Sequence, residues 1–349
     1  MRRTHVYCGS PDVQDALLAE LLQRTGDVAV VGPGLVRCGV VVDPVFARQI
    51  LVDAQLVQAH NPAALAAALL DVNGVPFAGT QIDVDAPELP RTGSHDKLRH
   101  PLSEAATLLQ DTLRKKTEGR RQQGKLGPTT TQHLRIMLTA PGEAFRSLKG
   151  PSAKHPNPDA RRRILDPLTA WPGPFPAGRA IASEQARDAP SSAHRKLEEA
   201  LAWLGEAPVA GDVVVDLGAA PGGWTRVLRD RGATVIAVDR AALDPALARD
   251  PLVTHKKMDA LDVDLVALAP AFVLCDVIWE PKHTLTVVKR AAQVSGLRAV
   301  VATLKLKRPV DHDVIAEAVA VATGTLDFSG RVKHLVANKL EVTLLMRRD

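Results

Sequence analysis

A β-branched run, Val213-Val214-Val215-Asp216, enters the turn Leu217-Gly218-Ala219-Ala220-Pro221-Gly222-Gly223-Trp224. A short helical stretch at 223–230 follows, then a second run, Val235-Ile236-Ala237-Val238-Asp239. Strand, glycine turn, helix and a second strand ending in an acid form a βαβ unit, and the helical crossover makes its strands parallel. The pattern then repeats. Phe272-Val273-Leu274-Cys275-Asp276 is another apolar run closed by an acid, and Ala299 to Leu304 leads into Lys305, with a helix predicted at 311–323. An amphipathic helix at 195–205 precedes the unit, and Val332 to Met346 reads as two strands joined by a turn around Asn338. The expected class is α/β: a doubly wound, mostly parallel, Rossmann-like sheet with a C-terminal antiparallel hairpin.

The first half is less regular. Strands are expected at 5–8 and 35–43, helices at 11–24 and 61–70, a basic helix at 99–116 and a strand from His133 to Leu138. Gln122 to Pro128 should end the basic helix. Residues 141–190 carry nine prolines, from Pro141 to Pro190, and read as an ordered but irregular segment. The expected organisation is an N-terminal α+β region over 1–150, a Pro-rich connector over 151–188 and the Rossmann-like domain over 189–349.

The glycine turn favours a nucleoside ligand. Gly218 lets the backbone turn sharply near a ligand, and Asp239 is placed to accept hydrogen bonds from a ribose. The turn is not GxGxxG and carries a proline, so the pyrophosphate fingerprint of NAD and FAD sites is missing. S-adenosylmethionine fits better, with a dinucleotide or a purely structural turn as the alternatives.

Ionisable residues at strand ends supply the chemistry. Asp276 and Lys305 should emerge at the carboxyl edge of the sheet, Lys196 lies in the helix before the glycine turn, and Glu341 interrupts the last hairpin. Methyl transfer from a sulfonium is chiefly a matter of positioning the attacking atom in line. A ribose hydroxyl is a poor nucleophile and needs a base, and lysine can serve if burial or a nearby cation pulls its pKa down. Lys196 could be that cation, with Asp276 and Glu341 orienting both amines. Lys307, two residues beyond Lys305, is the rival second lysine, because strand alternation puts both on one side.

These residues make the second half resemble the FtsJ-type ribose 2'-O-methyltransferases, whose catalytic set is Lys-Asp-Lys-Glu. The whole chain resembles the RlmM family, bacterial methyltransferases of a cytidine ribose in 23S ribosomal RNA, which pair an RNA-binding region containing a THUMP domain with a methyltransferase domain. The matching segments are Pro190 to Ala200, Asp216 to Thr225, Cys275-Asp276, Leu304-Lys305-Leu306 and Glu341-Val342-Thr343. The resemblance implies Lys196, Asp276, Lys305 and Glu341 as the tetrad, with Lys305 as general base. It implies S-adenosylmethionine held by Gly218, Ala220, Pro221, Gly222, Gly223 and Trp224, with Asp239 at its ribose, Asp259 near its adenine and Asp276 touching both cofactor and tetrad. It implies 23S ribosomal RNA, or a partly assembled large subunit, as partner. The chain departs from the family at Ser191-Ser192-Ala193, where Ser-Arg-Ser is usual.

Composition narrows the rest. The 349 residues carry 44 basic and 39 acidic side chains, a net charge of +5. One Tyr, six Phe and four Trp argue against an RNA reader built on several stacked aromatics. The basic excess sits mainly in the first half, at Arg114, Lys115, Lys116, Arg120, Arg121 and Lys125 and at Arg161 to Arg163. Such runs are a solvated face or a phosphate contact. The histidines show no metal-ligand spacing, and His194 is expected on an exposed helix face. Cys8, Cys38 and Cys275 form no disulfide framework, which points to a reducing compartment. With no signal-peptide run or membrane-length apolar stretch, the chain is expected to be cytoplasmic, and without a coiled-coil heptad, monomeric. Cys275 reads as a packing thiol, Trp279 as core or as a surface for a flipped base. Methylation of another RNA such as tRNA, a noncatalytic RNA-binding or assembly factor and a nicotinamide oxidoreductase are the competing functions.

Overall fold

The computed structural model describes residues 4–70, 81–86, 101–122, 133–149 and 189–349. The chain divides into two compact units, Met1–Pro158 and Asp159–Asp349. The connector expected at 151–188, with Arg161 to Arg163, and the stretch 123–128, with Lys125, lie outside the described residues.

The first unit holds two four-stranded sheets. Strands β1 (His5–Gly9), β2 (Val28–Gly32), β3 (Leu35–Cys38) and β4 (Ala47–Leu51) form one, in the antiparallel order β2-β3-β1-β4, with helix α1 (Gln14–Leu22) packed on it. The strand expected at 35–43 thus stops at Cys38, and Val40 and Val42 carbonyls instead accept from the Tyr7 hydroxyl. The second sheet uses β5 (Gln55–Gln58), β6 (Gln81–Asp85), β7 (His133–Ala140) and β8 (Glu143–Lys149) in the order β5-β8-β7-β6. Helices α2 (Pro62–Leu70) and α3 (Pro101–Gln122) cover it through Leu65, Leu69, Ala106, Leu109 and Leu113. Residues 143–149 are therefore a strand, not the start of an irregular segment. Pro141-Gly142 makes the tight turn of a hairpin whose second strand pairs with β7 and β5.

The second unit is a seven-stranded sheet ordered β11-β10-β9-β12-β13-β15-β14. Its strands are β9 (Val213–Leu217), β10 (Thr234–Val238), β11 (Val253–Lys256), β12 (Phe272–Cys275), β13 (Ala299–Lys305), β14 (Phe328–Lys333) and β15 (Glu341–Arg348). The first five in spatial order run parallel, and β15 joins antiparallel between β13 and β14. Both faces are covered, which is why the central strands read as unbroken apolar runs: Phe272 to Cys275 are wholly buried. Helices α4 (His194–Leu204) and α5 (Gly223–Arg229) pack together on one face through Leu197, Leu201, Trp224 and Leu228. Helix α6 (Leu265–Leu268) adjoins α7 (Pro281–Ala291), which lies on β13, and α8 (His312–Gly324) packs on α7, β14 and β15. The chain leaves β9 for β10 on one side and returns to β12 on the other, so the strand order reverses between β9 and β12. Doubly wound sheets bind ligands at that crevice, beyond the carboxyl ends of the strands. Among the described residues no helix is long and apolar enough to cross a membrane.

Candidate active site

Four charged side chains of alternating sign meet at the carboxyl edge of β12 and β13. Lys196, from the first turn of α4, places its Nζ 3.1 Å from Asp276 Oδ2 and 2.6 Å from Glu341 Oε1. Lys305, the last residue of β13, places its Nζ 2.6 Å from Asp276 Oδ1 and donates to Glu341 Oε2. Each lysine thus touches both acids, and each acid touches both lysines. Lys305 and Glu341 stand directly opposite in the β13–β15 ladder, so the antiparallel hairpin fixes their pairing. Lys196 and Glu341 are buried, whereas Lys305 keeps 21% of its side chain open. Thr303, two residues before Lys305 and on the same side of the strand, donates its hydroxyl to Asp276 Oδ1 at 2.5 Å.

The electrostatics follow from this closed arrangement. Burial pushes the Lys305 ammonium down, but the Asp276 and Glu341 carboxylates outweigh it and hold the amine above its ordinary value. Burial would raise Glu341, and Lys196 with Lys305 instead holds it below the usual carboxylate range. The expectation of a lysine lowered by its neighbours is therefore corrected for the resting site. The acids neutralise the Lys196 charge before Lys305 feels it.

Beside the ring, the turn after β9 is shaped to admit a ligand. Gly218 has φ +79°, and a Cβ there would stand 3.0 Å from the Asp276 carbonyl carbon, so only glycine lets the turn lie against the end of β12. A Cβ on Gly223 would meet Ser191 Oγ at 2.2 Å, which keeps the approach to α4 against the start of α5. Gly222 caps α5, and Pro221 accepts from the Asp244 amide at 2.8 Å. Asp239 Oδ2 accepts from the Ala220 amide at 3.0 Å and Oδ1 from the Ala241 amide at 2.9 Å, leaving free lone pairs for ribose hydroxyls. Asp259, capping a short 3-10 turn, accepts from the Leu261 amide at 2.9 Å. Trp224 is buried, and its indole donates to the Ala193 carbonyl at 2.9 Å, so its role is to pin the segment before α4. A glycine cradle at the sheet's reversal point and an acid at the next strand end, in a turn whose sequence is not GxGxxG, fit S-adenosylmethionine.

Residues 190–347 match the FtsJ-like methyltransferase family. Ribosomal RNA large subunit methyltransferase M of Halorhodospira halophila is 36% identical over 204 residues, 55% of this chain and 56% of that protein. The protein of the same name from Alkalilimnicola ehrlichii is 31% identical over 278 residues, 77% of this chain and 73% of its own length. The chain belongs to the ribosomal RNA large subunit methyltransferase M family. A third member, from Chromohalobacter salexigens, is 27% identical over 86% of this chain and 79% of its own. The chain spans little more than half the length of the Halorhodospira relative.

Within this family frame the structure separates Lys305 from its rival. The ladder ends at Lys305, the Leu306 amide turns to the Leu340 carbonyl at 3.0 Å, and Lys307 is 84% exposed, 3.9 Å from Glu280. One other expectation changes, and the reading of Cys275 as a packing thiol agrees with its burial. His194 is buried, not exposed, and its Nδ1 lies 2.7 Å from the Ser191 carbonyl, holding the non-family Ser191-Ser192-Ala193 segment to α4. Cys275 is fully buried with its thiol pushed up to about 12 by burial, which excludes a nucleophile. Sequence reasoning missed Thr303, although strand alternation marks it as a neighbour of Lys305. It also missed Glu199, which accepts from the Val336 amide at 2.9 Å and the Ala337 amide at 3.3 Å. Among the described residues no group of His, Cys, Asp and Glu is set to hold a metal.

Proposed function

We propose that this chain transfers a methyl group from S-adenosylmethionine to the 2'-hydroxyl of a ribose, that of a cytidine in 23S ribosomal RNA or a partly assembled large subunit. The observation that carries the reading is the closed Lys196–Asp276–Lys305–Glu341 ring beside the Gly218–Gly223 cradle. The names of the relatives support the RNA. The reading places the reaction in the cytoplasm and takes the acting species as a monomer.

Asp239 holds the cofactor's ribose, Ala220 to Gly223 enclose its methionine end and Asp259 borders its adenine. When bound, the cofactor supplies a methyl carbon on a sulfonium, which departs as a neutral thioether. Lys305, the more open of the two lysines, faces the incoming ribose and takes the hydroxyl proton as the oxygen–carbon bond forms. Asp276 and Glu341 fix the Lys305 amine in one orientation, and Lys196 balances their charge so that the site stays neutral when Lys305 bears a proton. Lys305 must first lose its own proton, so the carboxylates that orient the base also restrain it. Exposed basic side chains of α3, Arg114, Lys115 and Lys116, grip RNA phosphates.

The test is incubation of the purified chain with methyl-labelled S-adenosylmethionine and total RNA from a strain lacking the gene, followed by mapping of the labelled nucleotide. Label on a 2'-O-methyl cytidine of the large-subunit RNA is expected. Label in tRNA or on another ribose overturns the target and keeps the chemistry. Cofactor binding without transfer, even to partly assembled large subunits, identifies a noncatalytic binder, and binding of a nicotinamide cofactor instead overturns the reading.

A further inference from the structure

Next to the ring, on the side of α7 and α8, lies a cavity of about 230 Å³. Lys305 itself lines it, with Glu280, Lys282, Leu285, Leu306 and Lys307. Its volume is below the roughly 300–1,000 Å³ of sites for drug-sized ligands and is of the size for one small group. Its apolar lining comes from the buried Leu285 and Leu306 with Pro281 and Val314, and its other lining side chains are charged. Nothing in the proposed chemistry uses Glu280, Lys282 or Lys307.

Covalent structure says what belongs there. The base of a nucleotide is joined to the ribose carbon adjacent to the one bearing the 2'-hydroxyl. If Lys305 takes the proton of that hydroxyl, the base lies within a few covalent bonds of the Lys305 amine, and a cavity walled by Lys305 is within its reach. We propose that this cavity receives the base of the target nucleotide, and that Glu280 selects cytosine over uracil by accepting a hydrogen bond from the exocyclic amine. The proposal rests on the ribose methylation reading and names the specificity of that same site.

Glu280 is the carboxylate best placed to do this. Three acids line the cavity: Asp311 caps α8 by accepting from the Asp313 amide at 2.9 Å, Glu317 lies on α8 and reaches Lys289 of α7 at 3.3 Å, and Glu280 lies four residues after Asp276, on the segment that leaves the ring for α7. Glu280 lies 3.0 Å from Lys282 and 3.9 Å from Lys307, both largely exposed lysines whose pairs are readily exchanged for a ligand. The Lys282 hydrogen bond holds Glu280 below the ordinary carboxylate range, so it is an obligate acceptor at neutral pH. Cytosine presents an amine where uracil presents a carbonyl, and a carboxylate attracts the first and repels the second.

The segment carrying Glu280 is also held in register with the ring. Trp279 donates its indole N–H to the Thr284 hydroxyl at 2.7 Å, and that hydroxyl donates to the Thr303 carbonyl at 3.4 Å. Thr303 in turn donates to Asp276. A chain of hydrogen bonds thus ties the wall of the cavity to the strand that ends in Lys305.

The experiment compares the wild-type chain with Glu280→Gln and Glu280→Ala. The substrates are two transcripts of the large-subunit RNA, with cytidine or uridine at the position the wild type methylates, and kcat/KM is measured on each. The wild type should prefer cytidine, and Glu280→Ala should reduce that preference by about tenfold or more, the worth of one hydrogen bond to a charged acceptor. Glu280→Gln, whose amide can serve either base, should bring the two rates close together. Affinity for S-adenosylmethionine, read by calorimetry, should not move in either variant. An unchanged cytidine-to-uridine ratio overturns the proposal while leaving ribose methylation intact. So does an equal loss on both transcripts that disappears at high salt, which would make the rim a phosphate contact. Absence of transfer by the wild type to any RNA would end the methylation reading and this proposal together.

Discussion

Lys305 and Glu341 face each other across the β13–β15 ladder, and their ion pair is closed on the other side by Asp276 and Lys196. Two lysines and two acids in a mostly buried ring sum to zero charge, which lets the sheet edge hold them out of water. Removing one member leaves an uncompensated charge, and for a buried pair this costs about 3–5 kcal/mol. Lys305 is more open than Lys196, so its loss should cost the fold less.

Lys305→Ala should lower single-turnover methyl transfer by roughly 10²–10⁴-fold, the range for loss of a positioned base. Lys305→Arg should recover the thermal stability that Lys305→Ala loses but not the rate, because arginine keeps the charge and cannot release its proton. Wild-type turnover in either variant would remove Lys305 from the role of base.

The pH profile follows from the raised Lys305 value. Below that value the neutral amine falls about tenfold per pH unit, so the single-turnover rate should climb with slope near one through pH 7–9. No plateau should appear until above the ordinary lysine value of about 10.4. A plateau below pH 8, measured with RNA saturating, would mean that substrate binding relieves the two carboxylates' hold on the amine.

Asp239 makes its contribution through cofactor affinity. Asp239→Ala should raise the Kd for S-adenosylmethionine by roughly ten- to a hundredfold, as expected when hydrogen bonds to a charged acceptor are removed. Calorimetric titration checks this, and unchanged affinity would take Asp239 out of the ribose site.

The second unit was legible in the sequence because its signals are local or nearly so. Buried parallel strands appear as unbroken apolar runs, the glycine turn marks the reversal point, and the acids sit at strand ends. Lys305 and Lys307 are not separated by alternation alone, since the point where the ladder ends depends on the pairing of β13 with β15, far along the chain. His194 was misplaced for a similar reason: one helix face buries it, and the turn beside it supplies the carbonyl for its ring. The first unit was harder to read because its strands are short and partly exposed. Gln55–Gln58 carries only Leu56 and Val57 as apolar residues, Leu56 is 51% exposed, and the strand is defined by pairing with Glu143 to Arg146, far along the chain.

Helix α3 gives a test of RNA contact. Leu109 and Leu113 bury one face, while Arg114, Lys115 and Lys116 remain exposed. Replacing the three with glutamine should weaken RNA binding and reduce the slope of log K against log salt by up to about 2, at roughly 0.7 per phosphate on single-stranded RNA. An unchanged slope would make them a solvated face.

Glu199 offers a test of positioning. It sits one turn beyond Lys196 on α4 and accepts from backbone amides of the β14–β15 turn, whose far end leads to Glu341. It therefore ties the helix that carries Lys196 to the turn that leads to Glu341. Glu199→Ala should lower kcat by about tenfold or more while KM for RNA and affinity for cofactor hold, and Glu199→Gln, which keeps an acceptor, should recover much of the loss. Equal loss of stability and rate in both variants would reduce Glu199 to a fold contact.

Asp216 predicts a pH dependence of stability that is independent of catalysis. It is fully buried on β9, where the Thr225 hydroxyl donates to Oδ2 at 2.7 Å, and burial raises its pKa to about 7. In the unfolded chain the same group titrates near the ordinary aspartate value of about 3.9. Between these values the folded state holds a proton that the unfolded state lacks, so stability falls as pH rises through this window and levels off above it. The difference is on the order of 4 kcal/mol. Asp216→Asn keeps an oxygen for Thr225 and cannot ionise, so its Tm should exceed the wild type's at pH 8, and the gap should close as pH drops to 5. A gap independent of pH, measured by thermal denaturation across that range, would show that Asp216 is ionised in the fold and compensated by its surroundings.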